Sequence, residues 1–180
     1  MTGGQAGADA PASGTDYVIR DATENDLDAI VAFEIEIAVV SFADEAITDP
    51  ALHRRRVTGS LGKPGEVTLV AVARDAPAVP LGWAWLSART NSLTGERYGN
   101  FRSLAVAAGP DRSQIGELLL AAVLGAADQA GMTQLTGKVH AGNVGMRALY
   151  RKFGFTATHI TMERRGRVTG AAETGKANGD

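Results

Sequence analysis

Apolar positions along the chain switch repeatedly between a two-residue and a three-to-four-residue period. Residues 17–20 (YVIR) form a short β-like run. From Leu27 the apolar positions Leu27, Ile30, Val31, Ile35 and Ala38 recur at helical spacing. Thr23, with Asp26 three residues on, has the capping-box pattern that starts such a helix. A weaker helix is expected after Asp49-Pro50, running through His53 and Arg54–Arg56. Residues 67–73 and 79–88 alternate and are separated by turn residues, which predicts a hairpin. Leu81, Trp83 and Trp85 share one face of its second strand, and the tryptophans read as core. Residues 101–106 predict a central strand after a loop at 91–99, and residues 132–140 another. The helix between them buries Ile115, Leu118, Leu119, Ala122 and Ala126 and is stopped by Gly131. In the last helix Met146, Leu149, Tyr150 and Phe153 fall at i, i+3, i+4 and i+7, and Gly154 ends it. Residues 155–163 are expected to close the sheet. The order β-α-α-β-β-β-α-β-α-β predicts an α/β fold with a mixed central sheet and helices on both faces.

A chain of 180 residues suits one core, so a single domain is expected at residues 17–165. Residues 1–16 and 166–180 consist mainly of small and polar residues and read as disordered tails. The formal charge, 18 − 20 = −2, argues against a nucleic-acid surface. The absence of cysteine excludes disulfides, thiolate metal sites and a cysteine nucleophile. The three histidines, His53, His140 and His159, lack metal-ligand spacing, so no metal is expected. No apolar run approaches membrane-spanning length and the start lacks a signal-peptide pattern, so a cytoplasmic protein without membrane contact is expected.

The turn at residues 111–116 opens a helix directly after a strand, which gives a ready anion site of unpaired N–H groups at a positive helix end. The amides of Ser113, Gln114, Ile115, Gly116 and Glu117 are expected to point outward. Such a turn is a weak signal alone, because every helix has this end and only Gly116 supplies a glycine in the turn. Asn143 reads either as an N-cap or as a ligand-binding amide, and Tyr150 either as a core aromatic or as a reactive hydroxyl. Strand, turn, helix, strand and Asn-started helix together suit a nucleotide-tailed thioester.

Across residues 17–165 the chain resembles the N-acetyltransferase superfamily known as GNAT. The resembling pieces are RDATENDLDAI, the hairpin ending in GWAWLS, the strand LAV before DRSQIGELLL, and NVGMRALYRKFGF. The resemblance implies a GNAT-like fold that uses acetyl-CoA as acyl donor. It implies that Leu104, Ala105 and Val106 offer main-chain groups to the pantetheine arm, where their strand splays from the next. The turn of Arg112, Ser113, Gln114, Ile115, Gly116 and Glu117 would wrap the pyrophosphate. Asn143 would bond the pantetheine arm, and Tyr150 would protonate the leaving thiolate. The chain departs from the family's loop, which begins with Arg or Gln and carries more glycine: Asp111 and Gln114 stand at two of its positions. An aspartate near pyrophosphate is repulsive, by something on the order of 1 kcal/mol, while Arg112 can compensate.

The acceptor amine needs a base. Some family members carry a glutamate at the position of Asn100, which cannot serve. Glu34, set within the apolar stripe of the first helix, and His140, at the end of a strand flanking the splayed site, are the candidates. Glu36 reads as solvated surface, as does the helix face carrying His53. The expected activity is transfer of an acetyl group to a primary amine of a small-molecule or peptide acceptor by direct attack. The rival is a GNAT-shaped module that binds acyl-CoA or a protein without turnover. A homodimer built on a sheet edge is also compatible with the pattern.

Overall fold

The computed structural model describes residues 16–158 and 162. Five strands, β1 (Tyr17–Asp21), β2 (Glu66–Ala73), β3 (Ala76–Thr90), β4 (Arg97–Val106) and β5 (Gln134–Gly137), lie side by side in chain order. The first four pair antiparallel, and β5 lies parallel to β4. Helices α1 (Leu27–Phe42) and α2 (Pro50–Thr58) connect β1 to β2. Helix α3 (Arg112–Gln129) makes the crossover from β4 to β5, and α4 (Val144–Lys152) follows β5. The result is the expected single α/β domain with a mixed sheet and helices on both faces. Residues 1–15 and 166–180, read as tails, lie outside the described residues. Of the closing strand expected at 155–163, residues 155–158 and 162 are irregular, and the others lie outside the described residues.

Each face of the sheet carries its own core. On one face Leu86, Leu104 and Val106 pack with Ile115, Leu119, Leu120 and Val123 of α3, and Met146, Leu149 and Tyr150 of α4 lean on them. On the other, Trp83, Trp85 and Ala105 meet Leu27, Ile30 and Phe33 of α1 and Val57 of α2. Gly82 permits the close approach of α3, because a Cβ there would stand 2.7 Å from Leu119 Cδ1.

Two β-bulges decide which residues face which core, and neither is legible from alternation. Between β2 and β3 the register jumps from Ala71↔Gly82 to Val72↔Pro80, so Leu81 is the extra residue. Leu81 therefore packs with the α3 core and does not share a face with Trp83 and Trp85. Between β3 and β4 the register jumps from Trp85↔Ser103 to Leu86↔Phe101, which leaves Arg102 as the extra residue.

The helical stripes turn slightly from expectation. Helix α1 buries Phe33 and Glu34 with Leu27, Ile30 and Val31, while Ile35 and Ala38 are only half-buried. Helix α3 buries Leu120, Val123 and Ala127, with Leu118, Ala122 and Ala126 half-buried. Gly131 and Gly154 follow α3 and α4 at φ of 68° and 81°, the left-handed conformation that ends helices and that glycine adopts without strain. Asp26 receives hydrogen bonds from the Thr23 amide (2.8 Å) and hydroxyl (2.9 Å), and Arg20 grips it with both terminal nitrogens. The Arg20 hydrogen bond, outweighing burial, holds the Asp26 carboxyl below the usual carboxylate range.

Candidate active site

The site begins where β4 and β5 part. The two strands pair only from Tyr98↔Gln134 to Phe101↔Gly137. The expected strand at 132–140 therefore shortens to four residues, Gln134–Gly137. Beyond Phe101, β4 runs on to Val106 with no strand on that side among the described residues, and that edge faces a cleft of about 990 Å³. An unpaired edge of this kind is a template for an extended, amide-bearing ligand.

The cleft passes from one face of the sheet to the other. Its α3–α4 side is lined by Arg112, Ser113, Gly116, Asn143, Leu149 and Tyr150. Its α1 side is lined by Glu36, Ile37, Val40 and Ser41, and β4 from Phe101 to Val106 runs between. Lys138, Val139 and His140 form the wall beyond β5.

At the start of α3 the Ile115 amide already donates to Asp111 C=O (2.9 Å), so the helical hydrogen bonding begins there. Gly116 and Glu117 sit further into the helix, and the amides of Ser113 and Gln114 in the first turn are the open ones. Of the nominated turn residues, Arg112, Ser113 and Gly116 line the cleft, whereas Gln114, Ile115 and Glu117 do not. Ile115 is in the core, and Glu117 pairs with Lys152 at 2.6 Å, tying α4 to α3. Asp111 is also absent from the cleft wall. Its carboxylate accepts a 2.7 Å hydrogen bond from Tyr17 Oη on β1, and that bond raises the Tyr17 pKa.

Asn143 is the N-cap of α4: its side-chain oxygen accepts from the Met146 amide at 3.0 Å. Its Nδ2 makes no hydrogen bond among the described residues and stands on the cleft wall. Capping thus uses the oxygen and leaves the donor for a ligand.

Tyr150 packs in a triangle of rings with Phe101 and Phe155, whose centroids are 5.8 and 4.9 Å away from its own. Burial pushes its pKa up to about 12, so the hydroxyl stays protonated through the neutral and mildly alkaline range. It stands on the cleft wall at the point where β4 and β5 separate. Gly137 makes room for it, a role not legible from local pattern. A Cβ at Gly137 would stand 3.2 Å from Tyr150 Oη and 3.4 Å from Phe101 Cβ.

The candidate bases fall in different places. Glu34 is 2 % exposed and is not part of the cleft wall. One of its oxygens accepts from Trp83 Nε1 (2.8 Å) and the other from Arg56 (2.7 Å). His140 lines the cleft, but its Nδ1 lies 3.1 Å from the Gly142 amide, which donates to it. In that arrangement the neutral ring carries its proton on Nε2, with no free nitrogen lone pair for a base. Glu36, read as solvated surface, lines the cleft and makes no hydrogen bond or ion pair among the described residues. Its signal lay in the helical spacing: two residues from Glu34, it points to another side of α1, and that side borders the splay. Asn100 pairs with Ser87 in the ladder before the bulge.

The α2 residues read as a solvated basic face hold the helix in place. His53 is buried, with Nε2 2.7 Å from Ile47 C=O, Arg54 pairs with Asp28, and Arg56 with Glu34. Trp85 is fixed in the same layer by Glu66, which accepts from its Nε1 at 2.7 Å and from Ser87 Oγ. Among the described residues no group of acidic or histidine side chains is arranged to hold a metal, and no helix is long and apolar enough to cross a membrane.

The model of the acetyltransferase (GNAT) family matches residues 29–155. Among curated proteins there is no match in sequence. The fold is shared with an aminoglycoside 6′-N-acetyltransferase from Acinetobacter haemolyticus, at 19 % identity and TM-score 0.62, over 84 % of this chain and 99 % of that one. It is shared with AAC(6′)-Iy in complex with the bisubstrate analogue CoA-S-monomethyl-acetylneamine, at 18 % identity and TM-score 0.65, over 84 % and 98 %. A transcriptional regulator from Bacillus halodurans C-125 also shares it, at 15 % identity and TM-score 0.67, over 83 % and 99 %. At such identities the likeness is one of fold, and function has to be argued from the site.

Proposed function

The chain belongs to the acetyltransferase (GNAT) family, and from that membership we propose that it transfers an acetyl group from acetyl-CoA to a primary amine by direct attack in a ternary complex. The observation that carries this reading is the single cleft joining the free edge of β4, the open end of α3, the Asn143 amide and the Tyr150 hydroxyl to the α1 side of the sheet.

The donor side fits acetyl-CoA by its chemistry. Main-chain groups of Leu104 and Val106 on the unpaired edge pair with the amides of the pantetheine arm, those of Ala105 being turned to β3, and Asn143 Nδ2 adds a donor. The open amide of Ser113, with the Arg112 guanidinium, holds the pyrophosphate, while Gln114, Ile115, Gly116 and Glu117 keep that turn helical. Asp111, held by Tyr17, is turned to β1, which removes much of the repulsion its sequence position implies.

On the acceptor side Glu36 receives the proton that the amine loses as its nitrogen bonds to the acyl carbon, directly or through one water. Main-chain N–H groups on the β4 edge hold the negative charge developing on the carbonyl oxygen. Tyr150 Oη donates its proton to the sulfur as the carbon–sulfur bond breaks. Glu34 acts as a positioning residue that fixes Trp83 and Arg56 beneath the acceptor side, and His140 shapes the wall. The lack of cysteine favours the ternary complex over a thioester on the enzyme.

Isothermal titration with acetyl-CoA, beside desulfo-CoA and ATP, tests the donor site, and CoA release with a panel of amines tests transfer. Binding that needs the pantetheine arm, followed by amine-dependent release, is the expected result. Binding without release from any amine would leave the acyl-CoA-binding module standing, and no binding would remove acyl transfer and leave only a module that binds a protein.

A further inference from the structure

We infer that the acceptor carries a carboxylate beside its amine, and that Arg102 with Ser103 forms the subsite that holds it. This rests on the acyl-transfer reading and names the substrate class for that site.

The bulge creates the subsite. Arg102 is the unpaired residue of β4, and the register on either side of it sets Ser103 opposite Trp85. Residues paired across strands share a face, so Ser103 is turned to the α1 side with Trp85. Arg102 falls on the same side, its guanidinium 5.5 Å from the centre of the Trp85 ring. Trp85 is a fixed platform, because Glu66 holds its Nε1 and the Arg56 guanidinium lies 5.1 Å from the same ring. A guanidinium resting on an indole loses little freedom on binding and keeps its in-plane donors for a carboxylate.

Charge pairing singles out Arg102. On α2, Arg54 and Arg56 each have a carboxylate partner, and Arg55 is exposed away from the cleft wall. Arg102 is exposed to the cleft and has none among the described residues. Beside it Ser103 Oγ is buried without a hydrogen-bond partner among the described residues. Buried polar atoms are nearly always satisfied, so an orphaned hydroxyl on a cleft wall calls for a ligand group. A change of its staggered rotamer brings the hydroxyl to that group.

The wider charge balance agrees. With Arg112 assigned to the pyrophosphate, the charged side chains left on the cleft wall among the described residues are Arg102, Lys138 and Glu36. Glu36 suits one ammonium, and the two cations suit one carboxylate. A polycationic acceptor meets two unpaired positive charges and one acid, so this cleft disfavours polyamines and aminoglycosides. Amino acids and short peptides with a free carboxylate fit it.

The test is CoA release with acetyl-CoA and matched pairs of acceptors: α-amino acids, β-alanine and glycyl dipeptides, each beside its carboxamide, with spermidine and neamine as polycations. The amide of each pair has the less basic, more readily deprotonated amine, so intrinsic reactivity favours the amide. A preference of the enzyme for the carboxylate therefore reports the subsite. Arg102→Gln should then raise KM for the carboxylate acceptor on the order of 10- to 100-fold, the loss typical of a charged hydrogen bond. It should leave the amide's KM and the acetyl-CoA affinity in place, and Arg102→Lys should restore part of the loss. Ser103→Ala should shift the same KM in the same direction by less. Acetyl-CoA binding with preferential turnover of amides or polycations, or with no carboxylate in the panel acetylated, overturns the subsite and leaves acyl transfer intact. Failure of acetyl-CoA to bind overturns both.

Discussion

On the α3–α4 side of the sheet the cleft is walled by the free edge of β4, the first turn of α3 and one amide side chain, Asn143. On the α1–α2 side the layer beneath it is held by charged side chains bonded to tryptophan indoles, Glu34 to Trp83 and Glu66 to Trp85. A wall made of main chain tolerates changes of side chain, so Asp111 and Gln114 can stand in the turn without closing the site. A wall resting on buried charges tolerates few, because each carboxylate removed strands its donors. In the proposed reaction the donor contacts thus rest on the first side, and the supports of the acceptor contacts on the second.

The largest effect should come from breaking the second side. In Glu34→Ala the Trp83 Nε1 loses its partner in the core and Arg56 loses its ion pair, which should lower stability by about 2–3 kcal/mol. Chemical denaturation reads this directly, and Glu34→Gln, which keeps an acceptor for Trp83, should lose less. If Glu34→Gln also keeps the acid limb of the pH–rate profile, Glu34 is a support and not the base. An acid limb lost in Glu34→Gln but kept in Glu36→Gln would make Glu34 the base and Glu36 a bystander.

On the first side, Tyr150→Phe should lower kcat by roughly 10²-fold, the usual scale for a general acid, with little change in acetyl-CoA affinity. Its pH dependence sharpens the point. An acid with its pKa pushed up to about 12 stays protonated to high pH, so any fall in rate well below that value has another source. Stability behaves consistently: with the folded pKa above the ordinary 10.0, the neutral hydroxyl's contribution is intact below pH 10 and is lost as pH climbs towards about 12. Unfolding measured over that range should fall less steeply in Tyr150→Phe, and equal slopes would place the hydroxyl in water.

Smaller effects separate structure from binding at single residues. Asn143→Asp keeps a good N-cap but removes the Nδ2 donor. Melting should be little changed while acetyl-CoA binds about 10-fold more weakly, the loss of one well-placed hydrogen bond. Unchanged binding would reduce Asn143 to a cap. The smallest effect is expected for Asp111→Asn. A carboxylate that is exposed and turned to Tyr17 should alter acetyl-CoA affinity by no more than about 3-fold. A larger gain would show that Asp111 faces the pyrophosphate after all.

Legible in the sequence alone were the order of elements as far as α4, the Asn-capped helix with its Leu-Tyr pair, the strand before the turn and the glycine stops at Gly131 and Gly154. These are set by local periodicity, capping and φ preferences, which act within a few residues. What faces what was decided only in three dimensions. The bulges at Leu81 and Arg102 each shift the alternation by one residue, so Leu81 leaves the tryptophan face and Arg102 joins Ser103 on the α1 side. Glu34 read as a candidate base because its partners, Trp83 and Arg56, are distant in sequence. Glu36 read as surface because the cleft it borders exists only where β4 and β5 part. Local pattern specifies an element, whereas register and long-range pairing specify which of its side chains meet, and the chemistry of this site depends on the latter.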